Sequence, residues 1–169
     1  MEPTKWFDRK FSFASENIMP SVIERLMGTP LRIKHKLEQL DRGTLTLKPD
    51  GKWSILEHVG HLSDLESLWL GRFEDIMSGR EILRPTDLAN QKTTEAGHNE
   101  KTLADVLREF ETVRAVTISQ LSTLKENDLF RSALHPRLKT PMRMQDLFIF
   151  VAEHDDHHLA KMTAIIANR

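Results

Sequence analysis

Between Ser54 and Gly79 the apolar residues Ile55, Val59, Leu62, Leu65, Trp69, Phe73 and Ile76 recur every three or four positions. That spacing collects them on one face of an α-helix and scatters them over both faces of a strand. Ser54-Ile55-Leu56-Glu57 reads as a capping box, in which hydroxyl and carboxylate each take a free backbone N–H at the helix start. Gly79 suits the helix's C-terminal end.

Three further segments carry the same periodicity. The first covers about 20–40 and is interrupted by Gly28-Thr29-Pro30, where Thr29 can cap a new helix and Pro30 fits its first position. It is either one kinked helix or a short helix followed by a longer one. Another runs from about Thr102 to Leu124, with Leu103, Val106, Leu107, Phe110, Val113, Val116 and Leu121 as its apolar face. The last follows Thr140-Pro141 and ends near Asn168. Strand signals are weak: Phe11-Ser12-Phe13 and Thr44-Leu45-Thr46-Leu47 alternate, but neither has an evident partner. The pattern predicts an all-α, up-and-down four-helix bundle. The length suits one domain over residues 1–169, with residues 1–15 as an aromatic-rich arm (Trp6, Phe7, Phe11, Phe13) that packs on the bundle or on a partner. A polar connection from Arg80 to about Lys101 is long for a compact domain, and such loops often border functional sites.

Composition narrows the function. The net charge of -1 and the lack of a Lys/Arg block give no footprint for nucleic acid. No apolar run approaches the roughly 18 residues of a membrane span, and the charged N-terminal stretch lacks a signal-peptide core. The chain has no cysteine, which removes disulfides, thiolate ligands and a cysteine nucleophile together. A cytoplasmic setting is the expectation.

The candidate chemistry lies in the histidines. His154-Asp155-Asp156-His157-His158 falls in the last helix, where Leu147, Val151, Met162 and Ile165 share a stripe with His154 and His158. Residues four apart lie one above the other on a helix, so these two imidazoles can serve one spot. They are either core histidines satisfied by hydrogen bonds or a pair of metal ligands, since imidazole binds Zn, Ni, Fe and Cu. Two neutral imidazoles are awkward to satisfy in a core, and a shared cation settles both. His157 lies about 60° round the helix and reads as a flank. Asp155 and Asp156 read as a solvated face. A third ligand can come from the helix that starts at Ser54, where His58 sits near the centre of the apolar stripe and His61 at its edge. Periodicity slightly prefers His58. Either one would complete a three-histidine set with open positions, the pattern of a catalytic site. His35, His98 and His135 read as solvent-exposed. Glu57 and Asp64 read as exposed carboxylates that could act only if they faced the site. No HExxH helix, paired Glu-x-x-His motif or Gly-rich phosphate loop is present. His154-Asp155 resembles the dyad of the His-Asp phosphohydrolases, but that class needs a further Asp well downstream, and the only later Asp is Asp156.

Lys52-Trp53-Ser54-Ile55-Leu56-Glu57 with Gly60-His61-Leu62, then Leu68-Trp69-Leu70-Gly71-Arg72, and His154-Asp155-Asp156-His157-His158-Leu159-Ala160 resemble the DinB-like/YfiT-like metal-binding four-helix bundles, as does Glu24-Arg25-Leu26-Met27-Gly28-Thr29-Pro30. The resemblance covers nearly the whole chain. It implies that His61, rather than His58, joins His154 and His158 as a ligand of a divalent metal, nickel or zinc, with water in the remaining positions. It also implies a homodimer. Lys161 stands where many relatives carry Gln or His. Some members of the family are thiol-S-transferases that join low-molecular-weight thiols to electrophiles, and others resemble hydrolases. The resemblance therefore implies a metal-dependent transferase of the thiol class or a hydrolase acting on a small molecule. The alternative is a non-catalytic, stress-associated bundle whose metal or histidines serve structure or dimerisation.

Overall fold

The computed structural model describes residues 4–168. The first three residues of the expected arm, and Arg169, lie outside the described residues. Four long helices form the body: α1 (Met19–Leu37), α3 (Ile55–Met77), α5 (Leu103–Leu121) and α6 (Met144–Ala167). Two short helices, α2 (Arg42–Thr46) and α4 (Gln91–Glu95), lie in the connections. A hairpin of β1 (Ser132–Leu134) and β2 (Pro141–Arg143) precedes α6, with Ser132 opposite Arg143 and Leu134 opposite Pro141.

The caps of α3 form as the sequence predicts, whereas Thr29 starts no new helix. Ser54 Oγ accepts from Glu57 N (3.2 Å) and Glu57 Oε2 accepts from Ser54 N (2.8 Å). At the other end of α3, Gly79 has φ 73°, and Arg80 N reaches back to Asp75 O at 2.9 Å, the bond that closes a left-handed helix end. Thr102 Oγ1 caps α5 by accepting from Asp105 N at 3.1 Å. The first helix is continuous through Gly28-Thr29-Pro30. Proline has no N–H for the carbonyl four residues back, and Arg114 Nη1 takes that carbonyl, Leu26 O, at 3.3 Å instead.

Two expectations change. Residues 44–46 belong to a helical turn, begun by Asp41 Oδ1 accepting from Thr44 N at 2.9 Å. The segment after Thr140 is a strand, and α6 starts only at Met144, where the Asp146 carboxylate accepts from Arg143 N at 3.0 Å.

The expected four-helix bundle is present, but of the consecutive long helices only α3 and α5 pack side by side. Both α1 and α3 pack against α5 and α6, which sets α1 diagonal to α3. Two apolar clusters share the helices. One contains Trp69, Phe73, Phe148, Phe150 and Val151; the other contains Ile55, Leu56, Val59, Leu62, Leu159 and Met162. Where they meet, around 61–66 on α3 and 154–158 on α6, polar side chains occupy the interior. Among the described residues no helix is long and apolar enough to cross a membrane.

Candidate metal centre

α3 and α6 lie side by side, and their facing turns carry the histidines. His61, His154 and His158 are 3%, 5% and 6% exposed, and one ring nitrogen from each lies within 4.8 Å of the others. His154 and His158, one turn apart, bring their Nε2 atoms to 3.1 Å. His58 is buried at the same place but behind the pair, with its Nδ1 2.8 Å from His158 Nδ1. Both histidines that periodicity left open thus reach the last-helix pair, His61 beside it and His58 on its far side.

Burial decides the charge of these rings. It disfavours the imidazolium, and the neighbouring histidines would repel it further. His154 and His158 are held well below the ordinary value of 6.5, first by burial and then by the other rings. His58 falls to about 3, by burial and then His61. Burial likewise lowers His61 to about 4, although Asp64 opposes the shift. All four are neutral at pH 7, the form that offers a lone pair.

A chain of hydrogen bonds fixes which lone pair His61 offers. Thr93 Oγ1, on α4, donates to Asp64 Oδ2 at 2.9 Å, so its oxygen is free to accept from His61 Nδ1 at 3.0 Å. His61 therefore carries its proton on Nδ1 and leaves Nε2 bare. His98 Nε2 donates to the same Asp64 oxygen at 2.9 Å. Burial alone would raise the Asp64 carboxyl, but the His98 and Thr93 hydrogen bonds outweigh it and hold it below the usual range. A carboxylate behind a potential ligand is the usual way a ring is oriented and made more basic.

Several expectations for polar residues are overturned. Asp64 is 9% exposed, not solvated. His98 is 2% exposed because its ring lies flat on the backbone of Gly60: a Cβ there would come within 2.3 Å of it. His135 is 3% exposed, in the hairpin turn, where its Nδ1 accepts from Arg137 N and Leu138 N. His35 is exposed, as expected. Asp155 is fully buried and paired with Arg114 at 2.6 Å, whereas Asp156 is partly exposed and binds Arg25 and Arg32. Glu57 is spent on the helix cap and on Lys48 at 2.7 Å. Thr93, Arg72 and Arg114 carried no assigned role in the sequence. The mid-helix Gly60, a poor helix former, was the available signal of a close approach.

A cavity of about 170 Å³ opens at the histidines. Trp53, with its ring 4.6 Å from that of His61, Trp69 at 5.8 Å from His154, and Trp6 at 5.1 Å from His154 wall it. The arm thus packs on the bundle through Trp6, and Arg9 reaches Glu153. His157, half-buried, stands at the edge 5.6 Å from Trp6. Burial, Lys161 and Arg9 lower it to about 4.

A sequence model of the DinB superfamily matches residues 28–162. No curated protein sequence matches the chain. Among solved structures the fold is similar to YfiT from Bacillus subtilis, described as a probable metal-dependent hydrolase with an unusual four-helix bundle topology. That likeness has a TM-score of 0.76 at 22% identity and covers 95% of this chain and 92% of that one. The four-helix body is common to both, and the family match spans most of the sequence: the chain belongs to the DinB superfamily.

Proposed function

We propose that the protein is a metal-dependent hydrolase or thiol transferase whose divalent ion, nickel or zinc, is held by His61, His154 and His158. One observation carries the reading: three neutral, buried imidazoles from two helices turn ring nitrogens toward one point at the wall of a cavity. The residues fit such an ion. His154 Nδ1 is buried with no partner among the described residues, so hydrogen bonding within the core does not complete this ring. The donor set is all nitrogen, which suits Zn or Ni better than Mg or Ca. Three protein ligands leave coordination positions for water or substrate, as in catalytic sites.

A divalent cation bound there supplies Lewis acidity, which eases deprotonation of a water or a thiol near neutral pH. The chain's own residues do the rest. Thr93 and Asp64 hold His61 in the Nδ1–H form. His58 steadies the outer nitrogen of His158. Trp6, Trp53 and Trp69 exclude water and offer flat apolar surface to a small substrate. Hydrolysis is favoured by the description of the similar YfiT structure. Thiol transfer uses the same acidity, and with no cysteine in the chain the thiol comes from a second substrate.

The test is a screen of metal-loaded protein against small esters and amides in water, and against electrophiles with a low-molecular-weight thiol. The reading predicts turnover that needs the metal and disappears in His154→Ala. The burial of the cluster favours one other role, a metal that serves stability alone. Metal-loaded protein without turnover whose melting temperature collapses on chelation would establish that role in place of the enzyme.

A further inference from the structure

The cavity has a second pole, away from the histidines of the metal centre. Arg72 lines it from α3 and is 1% exposed. Its Nε donates to Arg84 O at 3.1 Å, but Nη2 has no partner among the described residues. No carboxylate among them pairs with it. Asp75, the nearest acidic influence, spends its oxygens on Arg84 and Arg80. Asp87, also on the cavity wall, turns its oxygens to the backbone N–H groups of Ala89 and Gln91.

Nη1 is no better matched. It lies 3.4 Å from His135 Nε2. His135 Nδ1 accepts from two backbone N–H groups, at 3.2 and 3.0 Å, so it carries no proton. Burial, with Arg72 and Arg137 nearby, lowers His135 to about 4, so the ring is neutral at pH 7. The single ring proton must then sit on Nε2. The contact between Arg72 and His135 is consequently donor against donor. Two guanidinium nitrogens and one imidazole N–H converge without an acceptor, at the wall of a cavity. Burial lowers Arg72 only to about 10, so its charge persists at pH 7. A buried, unpaired charge is strongly unfavourable in a folded protein. The Trp69 ring, 5.6 Å from the guanidinium carbon, offsets little of that.

We propose that Arg72 and His135 bind a carboxylate group of the substrate, so that the molecule entering the cavity is a small carboxylic acid with an apolar body. A planar fork of two guanidinium N–H groups matches the two oxygens of a carboxylate. Arg137 lines the same cavity over the Phe7 ring at 4.6 Å, so it is the buried fork geometry of Arg72, not the total charge, that points to a carboxylate. The tryptophans take the apolar body, and the far end lies toward His61, His154 and His158. The assignment of this group as substrate rests on the metal-centre reading; the anion site itself does not.

The chain's three tryptophans all line this cavity, so intrinsic fluorescence reports its occupancy. The full chain, as purified and after chelation, is titrated at constant ionic strength with hexanoate, with the neutral isostere hexanamide, and with inorganic phosphate. Saturable binding of hexanoate that survives chelation, exceeds that of phosphate, and is absent for hexanamide is the expected result. Arg72→Gln should lose about tenfold or more in hexanoate affinity while keeping the wild-type metal content. Equal binding of hexanamide and hexanoate, tighter binding of phosphate, or hexanoate binding that vanishes with the metal overturns the proposal. Those wild-type comparisons decide the matter even if Arg72→Gln does not fold. Metal content is measured separately, so failure of the anion site and failure of the metal centre give different results.

Discussion

Arg114 and His154 occupy the same interior layer of the bundle, and their surroundings differ in kind. Arg114 meets Glu66 through Nε at 2.8 Å and Asp155 through Nη1 and Nη2 at 2.6 and 3.1 Å, with Leu26 O beside them. Thr117 donates to the other oxygen of Glu66. All three charged groups are 2% exposed or less, and both carboxylates are fully engaged. One residue before Asp155, His154 has a buried ring nitrogen with no partner among the described residues, and across the cavity so does the Arg72 guanidinium Nη2. The closed group is finished by the fold itself. The open group is finished only by something that enters. A polar interior therefore says little about function until its donors and acceptors are matched, and the unmatched ones that also line a cavity are where a ligand fits.

The contrast can be broken by removing the closed group. Arg114→Met leaves Glu66 and Asp155 buried without their cation and should cost about 3–5 kcal/mol in denaturant unfolding. A loss of under about 1 kcal/mol would mean the group is solvated or dispensable. Acid should act on the open group. His154, His158, His61 and His58 titrate well below their ordinary value of 6.5 in the folded chain, His61 near 4 and His58 near 3. The unfolded chain thus takes up more protons in that window, so stability of the metal-free protein falls as pH drops from 6.5 toward 4. Urea unfolding at stepped pH measures it, and a profile flat between 6.5 and 4 would show the rings already charged or exposed.

Thr93→Val sharpens the comparison at lower cost. It cuts the chain from His61 to Asp64 and should lower metal affinity by about 10–100-fold with little change in helical content. Unchanged affinity would mean that His61 needs no such support. The smallest effect concerns His154→Leu in the metal-free protein. Because the ring's Nδ1 is unpaired among the described residues and its Nε2 meets only the His158 ring, its loss should alter stability by no more than about 1 kcal/mol. A loss comparable to that of Arg114→Met would place His154 in the closed class.

Much of this could be read from the sequence where local rules apply. The α3 capping box, the helical stripe and the pairing of His154 with His158 depend on spacing alone. The long connection after Gly79 was marked as a border of function, and it supplies Thr93 and His98. What was hidden depends on tertiary approach. On α5 the apolar spacing points through Val113 and Val116, yet Val116 is 48% exposed. The interior register runs through Phe110, Arg114, Thr117 and Leu121, because a matched arginine can hold a core position that hydropathy assigns to an apolar residue. His98 and His135 looked like loop residues facing water, and only the bare backbone of Gly60 and the hairpin turn bury them. His58 and His61 both face α6, on either side of its histidine pair, and periodicity does not separate two positions so close on one helix face.

Metal titration of full-length, tag-free protein, with nickel and with zinc, tests the open site directly. One divalent ion bound per chain at micromolar metal, abolished in both His61→Ala and His154→Ala while their helical content stays at the wild-type level, is the predicted result. No binding by the intact chain, or binding that persists in both variants, would contradict it.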